Sequence, residues 1–334
     1  MIRTHAGRRV ERDSSAVLCE ESPAPPPPRR FKVDSLTAWP HHRSGWGPCG
    51  QVLQQLASPD GGVLLVDSVE RLIRDSIVLD EPWVGFVHKA LLAPAHLETL
   101  YGEKRDASLP AMMATEVWRR NIEQCRGLFC LSDHLGAYLQ PRVACPVDVV
   151  AHATSFDCLP FDFEAFRRSE HKTLLLIGHW LRRFQSFYDL SAPDFRKCLL
   201  KCQDEQLYER LHGVLRNNGS VEVLPWQPKS SYDRLLSRSV VFLDLIDASA
   251  NNSVIECLAR NTPLLVNRHP AVIEYLGPDY PLYFDDLAHA ASLLNIADLR
   301  RGHEYLCRSA ALKDRVRFES FRRAVTESAI YQSL

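Results

Sequence analysis

The sequence predicts an α/β protein with two parallel β-sheets, each covered by helices on both faces. Three observations support this class. Short apolar runs of strand length alternate with helical patterns along most of the chain. These runs are almost continuously apolar, which is typical of strands buried on both faces. The length of 334 residues suits two domains of ordinary size. Two such units in tandem leave a cleft between them, and ligands of parallel sheets bind beyond the carboxyl ends of the strands.

Changes in composition divide the chain into four parts. We expect residues 1–30 to be a disordered, Pro-rich leader, because the segment is polar and ends in PAPPPPRR. Its first residues include arginines but no apolar run, so they do not form a secretory signal. Residues 31–160 and 161–300 are the expected first and second domains. Residues 301–334 read as a helical tail, which we expect to pack back on the first domain.

Five strands and three helices are predicted in the first domain. The expected strands are Lys32 to Ala38, Gly62 to Asp67, Trp83 to His88, Gly127 to Ser132 and Val147 to His152. The expected helices are Gly50 to Ala57, Met112 to Gln124 and Asp133 to Leu139. Ser132 is expected to cap the last helix, because a serine hydroxyl at that position accepts a hydrogen bond from a free amide of the first turn.

The second domain repeats this alternation more regularly. The expected strands are Thr173 to Gly178, Val221 to Pro225, Val240 to Ile246, Pro263 to Asn267 and Leu282 to Phe284. The expected helices are Phe195 to Arg216, Tyr232 to Ser237, Ser253 to Arg260, Ala271 to Leu276 and Asp286 to Leu294. The tail from Glu304 to Leu334 carries the apolar periodicity of a helix.

Composition and charge exclude several classes of function. The formal net charge is −1, so the chain has no general attraction to nucleic acids or membranes. No apolar run approaches the roughly 20 residues that span a bilayer. The ten cysteines form no C-x-x-C pair, which predicts reduced thiols without disulfides or structural zinc. We therefore expect a cytoplasmic protein with no metal site.

The strongest candidate site is the segment from Asp247 to Glu256, which follows a predicted buried strand and leads into a short helix. The amino end of a helix presents free N–H groups that favour anions such as a nucleotide diphosphate. A carboxylate one turn into the helix can bind the hydroxyls of an attached ribose. The alternative interpretation is a capping box, because Ser253-x-x-Glu256 fits the S-x-x-E pattern of a helix start. The two interpretations are compatible.

The residues that follow this segment resemble a known family. Glu256, Asn261-Thr-Pro263, Leu264-Leu-Val266 and Glu274 occur in the order found in the C-terminal domain of retaining nucleotide-sugar glycosyltransferases of the GT-B fold. The resemblance implies two Rossmann-like parallel-sheet domains that face each other across a cleft. The first would bind the acceptor and the second the nucleotide-sugar donor, with a C-terminal helix returning to the first domain.

One position departs from the family pattern. The family has an acidic residue eight positions before the ribose-binding glutamate, and Ala248 stands there in this chain. Asp247 lies beside it and can substitute for the missing carboxylate. Alternatively, the loop binds the sugar through Ser249, Asn251 and Asn252.

The resemblance also implies a donor site on the second domain. Gly178 lets the backbone approach phosphate closely, and the guanidinium groups of Arg182 and Arg183 neutralise the diphosphate. The alternative for Arg183 is a solvated helix start. The implied donor-binding residues are Gly178, Arg182, Arg183, Asp247, Ser249, Asn251, Asn252, Ser253 and Glu256. Trp226 and Gln227 are candidates for contact with the nucleotide base, although an aromatic residue beside a strand end often belongs to the core.

The first domain contributes two further candidates. His88 ends a predicted strand and so faces the cleft, where a similarly placed histidine of the family touches the transferred sugar; the alternative is a buried, hydrogen-bonded histidine. Ser44, Gly45 and Trp46 form a glycine-containing turn before a helix, on the acceptor side or simply as a tight turn. The expected catalytic residues are His88, Arg182 and Glu256.

The expected function is transfer of a sugar from a nucleoside diphosphate sugar to an acceptor that the sequence does not identify. The acceptor can be a small molecule, a glycan or a protein. The resemblance implies retention of configuration and neither a metal nor a cofactor, because arginine neutralises the leaving diphosphate. A different class remains open: a non-catalytic module of the same fold that binds a partner or scaffolds a complex. A third class is another chemistry on this fold, such as epimerisation of a sugar nucleotide.

Overall fold

The computed structural model describes residues 29–37, 44–93, 108–201, 215–216 and 219–334. The described strands form two separate sheets of five and six strands, and all the strand pairs within them are parallel. Most of the expected leader and the distal part of the expected helix from Phe195 to Arg216 lie outside the described residues. The predicted α/β class is confirmed.

The first sheet follows the order of the chain, so each strand pairs with the next. Its strands are β1 (Phe31–Lys32), β2 (Val63–Val66), β3 (Trp83–Val87), β4 (Cys125–Cys130) and β5 (Val147–Val149). Alternate side chains of these strands enter two different cores. Leu65, Phe86 and Phe129 lie in one core, whereas Leu64 and Leu128 lie in the other. Both faces of the sheet are therefore covered, which explains the continuous apolar runs in the sequence.

The helices of the first half divide between these two faces. They are α1 (Trp46–Gln54), α2 (Val69–Arg74), α3 (Leu109–Met113), α4 (Glu116–Ile122) and α5 (Asp133–Leu139), followed by a 3-10 turn at Gln140–Arg142. Helix α1 shares its core with Phe86, and α2 to α5 cover the opposite face. Ser132 caps α5 as predicted, because its hydroxyl accepts a hydrogen bond of 3.3 Å from the Leu135 amide.

The second sheet has the strand order β11-β10-β9-β6-β7-β8. Its strands are β6 (Lys172–Leu176), β7 (Phe195–Leu200), β8 (Val221–Leu224), β9 (Ser239–Leu243), β10 (Leu264–Asn267) and β11 (Tyr283–Phe284). The chain builds outward from β6 to β8 and then returns to the other side of β6 with β9. This reversal between β6 and β9 is a topological switch point, the position at which ligands of open parallel sheets usually bind.

The remaining helices cover the second sheet and form the tail. They are α6 (Phe163–Arg168), α7 (Phe184–Asp189), α8 (Lys229–Leu236), α9 (Asn252–Arg260), α10 (Pro270–Leu276), α11 (Leu287–Ser292), α12 (Ile296–Arg308), α13 (Ala310–Arg315), α14 (Phe318–Glu327) and α15 (Ala329–Gln332). None of the described helices is long and apolar enough to cross a lipid bilayer.

The predicted helix from Phe195 to Arg216 is wrong at its start, because Phe195–Leu200 is strand β7. Contacts with neighbouring strands determine that this segment is a strand. Arg196 forms an ion pair of 2.5 Å with Glu222 of β8. The buried Lys197 ammonium donates to three backbone carbonyls, at 2.9 to 3.0 Å. These contacts form only in the folded chain and override the helical spacing of the apolar residues.

The predicted strand from Lys32 to Ala38 is too long. The strand stops at Lys32, and residues 33–37 follow without strand pairing. Thr37 turns toward β2, because its hydroxyl donates a hydrogen bond of 3.1 Å to the Asp67 carboxylate just after that strand.

The last two helices pack on the first sheet. Tyr331 meets the ring of Phe31 edge to face at 5.0 Å, and Phe321 lies 6.0 Å from the indole of Trp46. The Ile330 amide donates a hydrogen bond of 3.0 Å to the carboxylate of Asp148 in β5. Residues near the two ends of the sequence thus share one core.

We expect Gly127→Ala to reduce the free energy of unfolding by about 1–3 kcal/mol, the usual effect of overpacking a core. A methyl group at residue 127 of β4 would approach the Ile330 side chain to 2.6 Å. The matched control is Gly50→Ala in α1, where the added methyl meets Leu36 at an ordinary 3.5 Å. Urea unfolding of both variants measures the difference. Equal stability of both variants would show that α15 does not pack on β4 as described.

Candidate functional site

The loops after β6 and β9 lie side by side at the switch point. Arg182 and Leu245 form an isolated antiparallel bridge between these loops. The Ile246 amide donates to the Leu181 carbonyl at 2.8 Å, and the Arg183 amide donates to the Asp244 carbonyl at 2.8 Å. These backbone bonds hold the two loops in a fixed arrangement, which places the buried Arg182 side chain at the switch point.

Gly178 is required beside Arg182 for two reasons. Its φ angle is +73°, a conformation that residues with a side chain rarely adopt. In addition, a methyl group on residue 178 would lie 2.5 Å from the Arg182 guanidinium. Arg182 is 7% exposed, and its guanidinium donates to the Trp180 carbonyl at 2.6 Å and to the Ser253 hydroxyl at 3.0 Å. Both of these partners are neutral oxygens, and they fix the orientation of the guanidinium.

The amino end of α9 lies against this guanidinium. Asn251 is the N-cap, because its side-chain oxygen accepts hydrogen bonds from the amides of Ser253 (3.1 Å) and Val254 (3.3 Å). The capping-box interpretation of Ser253 and Glu256 is therefore wrong: the hydroxyl of Ser253 bonds to Arg182 instead. A positive side chain and the amino end of a helix converge here, which favours an anion.

Glu256 lies where the half of the chain that carries the first sheet contacts the half that carries the second. It is 2% exposed, and its carboxylate accepts hydrogen bonds from the Ser44 hydroxyl (2.8 Å) and the Ser44 amide (3.4 Å). The Ser44 hydroxyl also lies 3.2 Å from the Asn252 carbonyl. On the other side, Arg260 lies 3.8 Å from Glu256 and forms a buried ion pair of 2.6 Å with Asp233. The first half of the chain therefore supplies two hydrogen bonds to Glu256 from across the cleft.

His152 supports the Ser44 turn and has no assigned role in the sequence analysis. Its Nε2 lies 2.7 Å from the Ser44 carbonyl, so Nε2 carries the proton and donates. Its ring stacks on Trp46 at 5.6 Å, and its amide donates to the Tyr275 hydroxyl at 2.9 Å. Burial lowers the pKa of His152 to about 4, so the imidazole is neutral at neutral pH. A lone histidine after a short strand carries no sequence pattern that predicts its contact with the Ser44 turn.

His88 lies half-buried at the carboxyl end of β3. Its Nε2 lies 2.9 Å from the Asp67 carbonyl, and its ring meets Trp46 edge to face at 4.4 Å. The His88 amide donates to Glu70 at 2.6 Å. Across the cleft, the Ser249 hydroxyl donates to the His88 carbonyl. The structure thus places His88 beside the loop that precedes α9.

Asp247 is a buried carboxylate that receives hydrogen bonds from both halves of the chain. It accepts from the amides of Leu92 (2.6 Å) and Ala248 (2.7 Å) and lies 2.7 Å from Nε2 of His269. Burial acts to raise the pKa of Asp247, but the bonds from His269, Leu92 and Ala248 outweigh it and hold the pKa below its ordinary value. Asp247 is therefore ionised at neutral pH.

Glu274, the second glutamate of the motif, bridges the cleft as well. Its carboxylate accepts hydrogen bonds from the amides of Asp133 (2.7 Å) and His134 (2.8 Å) at the amino end of α5. A carboxylate is favoured at that position because it satisfies two free amides and the helix dipole. Glu274 thus ties the second sheet to a helix of the first.

The other predicted residues make separate contacts. Trp226 and Gln227 follow β8, which lies two strands away from β6 in the second sheet. The distance between β8 and β6 across the sheet is about 10 Å. Trp226 is 42% exposed. Arg183 forms an ion pair of 2.8 Å with Asp244. Trp46 is 2% exposed, so its indole belongs to the core of the first half. Gly45 is the N-cap residue of α1.

Comparisons with known proteins show which fold this is. No protein-family model and no curated protein sequence matches the chain. Among solved structures, Anabaena HepE in complex with UDP and glucose superimposes with a TM-score of 0.60 at 10% identity, over 87% of this chain and 82% of HepE. Sucrose-phosphate synthase from Thermosynechococcus elongatus gives a TM-score of 0.58 at 14% identity, over 82% of this chain and 74% of the synthase.

A third similar structure is a point mutant of S. aureus TarM, solved in complex with Fondaparinux, alpha-GlcNAc-glycerol and UDP. It gives a TM-score of 0.54 at 8% identity and covers 80% of this chain, which spans 55% of the TarM chain. At such identities the similarity concerns the fold alone. The chain has the GT-B fold, with two Rossmann-like parallel-sheet units, as the sequence resemblance implied.

The burial of His152 predicts a pH dependence of stability. The native pKa of about 4 lies below the ordinary value of about 6.5 for an unfolded chain. Between these values the unfolded state binds one more proton, so acidification lowers the free energy of unfolding, by about 3 kcal/mol in total. We expect His152→Gln, which keeps a donor for the Ser44 carbonyl, to flatten the stability curve between pH 4 and 6.5. Unfolding curves that run parallel in both proteins across that window would contradict this account.

Proposed function

We propose that the chain is a glycosyltransferase that moves a sugar from a nucleoside diphosphate sugar to an acceptor. The observation that carries this proposal is the convergence of Arg182, the amino end of α9 and the Glu256 carboxylate at one switch point. Cationic and amide donors suit a diphosphate, and the carboxylate suits the hydroxyls of the attached ribose. The three groups belong to adjacent loops and one helix of a single sheet, so one nucleotide can reach all of them.

Arg182 and the amino end of α9 bind the diphosphate in this proposal. The bond between the sugar and the diphosphate breaks during transfer, and negative charge develops on the leaving oxygen. A guanidinium already held by Ser253 and Trp180 stabilises this charge without reorganising. No metal or cofactor is required at the diphosphate, because the arginine and the helix supply the positive potential.

Ser44 occupies the place of the ribose when no donor is bound. One residue presents two donors to Glu256, a hydroxyl at 2.8 Å and an amide at 3.4 Å. A ribose presents two neighbouring hydroxyl donors, so it can replace the two donors that Ser44 directs at Oε1 of Glu256. Donor binding then requires the two halves to separate at the contact between Ser44 and Glu256. Closure of the cleft over the bound donor excludes water that would hydrolyse it.

We further propose retention of configuration, as the resemblance to retaining enzymes of this fold implies, by a route without a covalent intermediate, because the loop before α9 offers no carboxylate that is ready to act as a nucleophile. Ala248 has no carboxylate, and Asp247 is held by Leu92, Ala248 and His269. The acceptor therefore attacks from the face of the leaving group, with His88 beside the transferred sugar. Solved structures of this fold include complexes with UDP, so UDP-sugars are the donors to test first.

A non-catalytic module is the second candidate. The observations that favour it are Ala248 in the position of the family's acidic residue and the bridging contacts of Glu256 and Glu274 that hold the cleft together. A module of this kind would bind a nucleotide sugar, or a partner, without turnover.

We expect purified protein to hydrolyse or transfer sugar from at least one UDP-sugar, and we expect Arg182→Met and Glu256→Gln to weaken UDP binding. Each loses one hydrogen bond to a charged group, worth about 1.5–3 kcal/mol, or about a 10- to 150-fold change in Kd. Calorimetric titration and product analysis measure binding and turnover.

The matched control is Arg167→Met, which removes an exposed arginine paired within α6 to Glu164. We expect this variant to bind UDP like the unmodified chain. Full activity of both site variants would refute the proposed site. Tight UDP binding without turnover on any acceptor would favour the non-catalytic module.

A further inference from the structure

Two histidines and one carboxylate meet where the halves of the molecule face each other. We infer that His134, Asp247 and His269 form a binding site for a divalent transition metal. One ligand atom from each of these residues lies within 4.8 Å of the other two. The inference departs from the sequence-based expectation of no metal site, and it does not depend on any step of the proposed sugar transfer.

The fold brings the three residues together from separate strands. His134 lies in the first turn of α5, after β4. Asp247 follows β9, and His269 follows β10 as the N-cap residue of α10. All three therefore stand beyond the carboxyl ends of parallel strands, one in the first sheet and two in the second. A metal here would connect the two sheets.

The distances require only small movements to hold an ion. Nε2 of His269 lies 2.7 Å from Oδ1 of Asp247, and Nε2 of His134 lies 3.8 Å from the same oxygen. Ligands of a tetrahedral zinc ion at about 2.0 Å stand about 3.3 Å apart. The two observed distances lie on either side of this value, so side-chain shifts of less than about 1 Å open the space for the ion.

The position of the ring proton of His269 does not exclude metal binding. Nδ1 of His269 is buried and has no hydrogen-bond partner among the described residues. Nε2 can therefore pass its proton to Nδ1 and present its lone pair without breaking a bond at Nδ1.

Surrounding contacts hold the ligands in position. The amides of Leu92 and Ala248 fix the carboxylate of Asp247. Glu274 accepts from the His134 amide at 2.8 Å and so fixes the helix start that carries this imidazole. Support of this kind around the ligands increases metal affinity, usually by about 10- to 100-fold per contact.

The donor set identifies the class of metal. Two imidazoles and one carboxylate suit Zn²⁺ and related ions such as Co²⁺ and Fe²⁺, rather than the all-oxygen sites of Mg²⁺ and Ca²⁺. Three protein ligands leave a fourth tetrahedral position for water or a ligand of the cleft. Because His134 belongs to one half and its partners to the other, the metal would hold the cleft closed on this side.

The test uses the full chain treated with a chelator and then titrated with Zn²⁺ and Co²⁺. We expect one equivalent of Zn²⁺ to bind by calorimetry, one equivalent of Co²⁺ to give visible ligand-field absorption, and Zn²⁺ to raise the melting temperature. His134→Ala and His269→Ala should each weaken Zn²⁺ binding by more than about 100-fold, the upper end of the effect of an outer contact. His289→Ala is the control, because that exposed histidine pairs with Asp285, away from the cluster.

His269→Gln keeps the size of the side chain, so weaker Zn²⁺ binding by this variant is not explained by loss of folding. Far-UV circular dichroism of each variant checks that it is folded. Binding of one equivalent that survives in both His134 and His269 variants would overturn the inference, because it would place the ion on other groups, such as the thiols. Absence of binding in the folded, chelator-treated chain would overturn it as well. UDP titration of the metal-free chain tests the donor site separately, so failure of one proposal is distinguishable from failure of the other.

Discussion

The hydrogen bonds from Ser44 to Glu256 are the contact on which the account of this molecule depends. They join the helix after β9 to the turn before α1, so one carboxylate belongs to both halves of the chain. A buried carboxylate needs partners, because an unsatisfied one is costly. Both donors of Ser44 are directed at Oε1 of Glu256, so a ligand that separates the two residues has to supply donors to that oxygen in their place. This requirement couples binding at the second sheet to movement of the first.

The strand order determines where such coupling can occur. Among the described strands, the first sheet runs in sequence order without a switch point, whereas the second reverses between β6 and β9. The second sheet therefore contains the position at which ligands of open parallel sheets usually bind. The first half supplies what closes over it: Ser44, held by His152, together with the Leu92 amide and the amino end of α5. Binding residues and closing residues thus lie on different halves.

Sequence reasoning predicted what local patterns encode. Alternating strands and helices, the helix cap at Ser132 and the polar loop before Glu256 all have short-range signals, and the structure contains each of them. Strand β7 was missed because its ion pair with β8 and its buried lysine are formed only in the folded chain. The contact of Ser44 with Glu256 spans 212 positions, so no spacing rule reveals it. The cluster of Asp247 with two histidines was missed for the same reason, since its members follow three different strands.

The most direct test of the central claim is a crystal structure of the chain with a bound nucleoside diphosphate. The account predicts that both ribose hydroxyls lie within hydrogen-bonding distance of Glu256, that Ser44 has left the carboxylate, and that the diphosphate contacts Arg182 at the amino end of α9. Nucleotide bound elsewhere, with Ser44 still on Glu256, would contradict it.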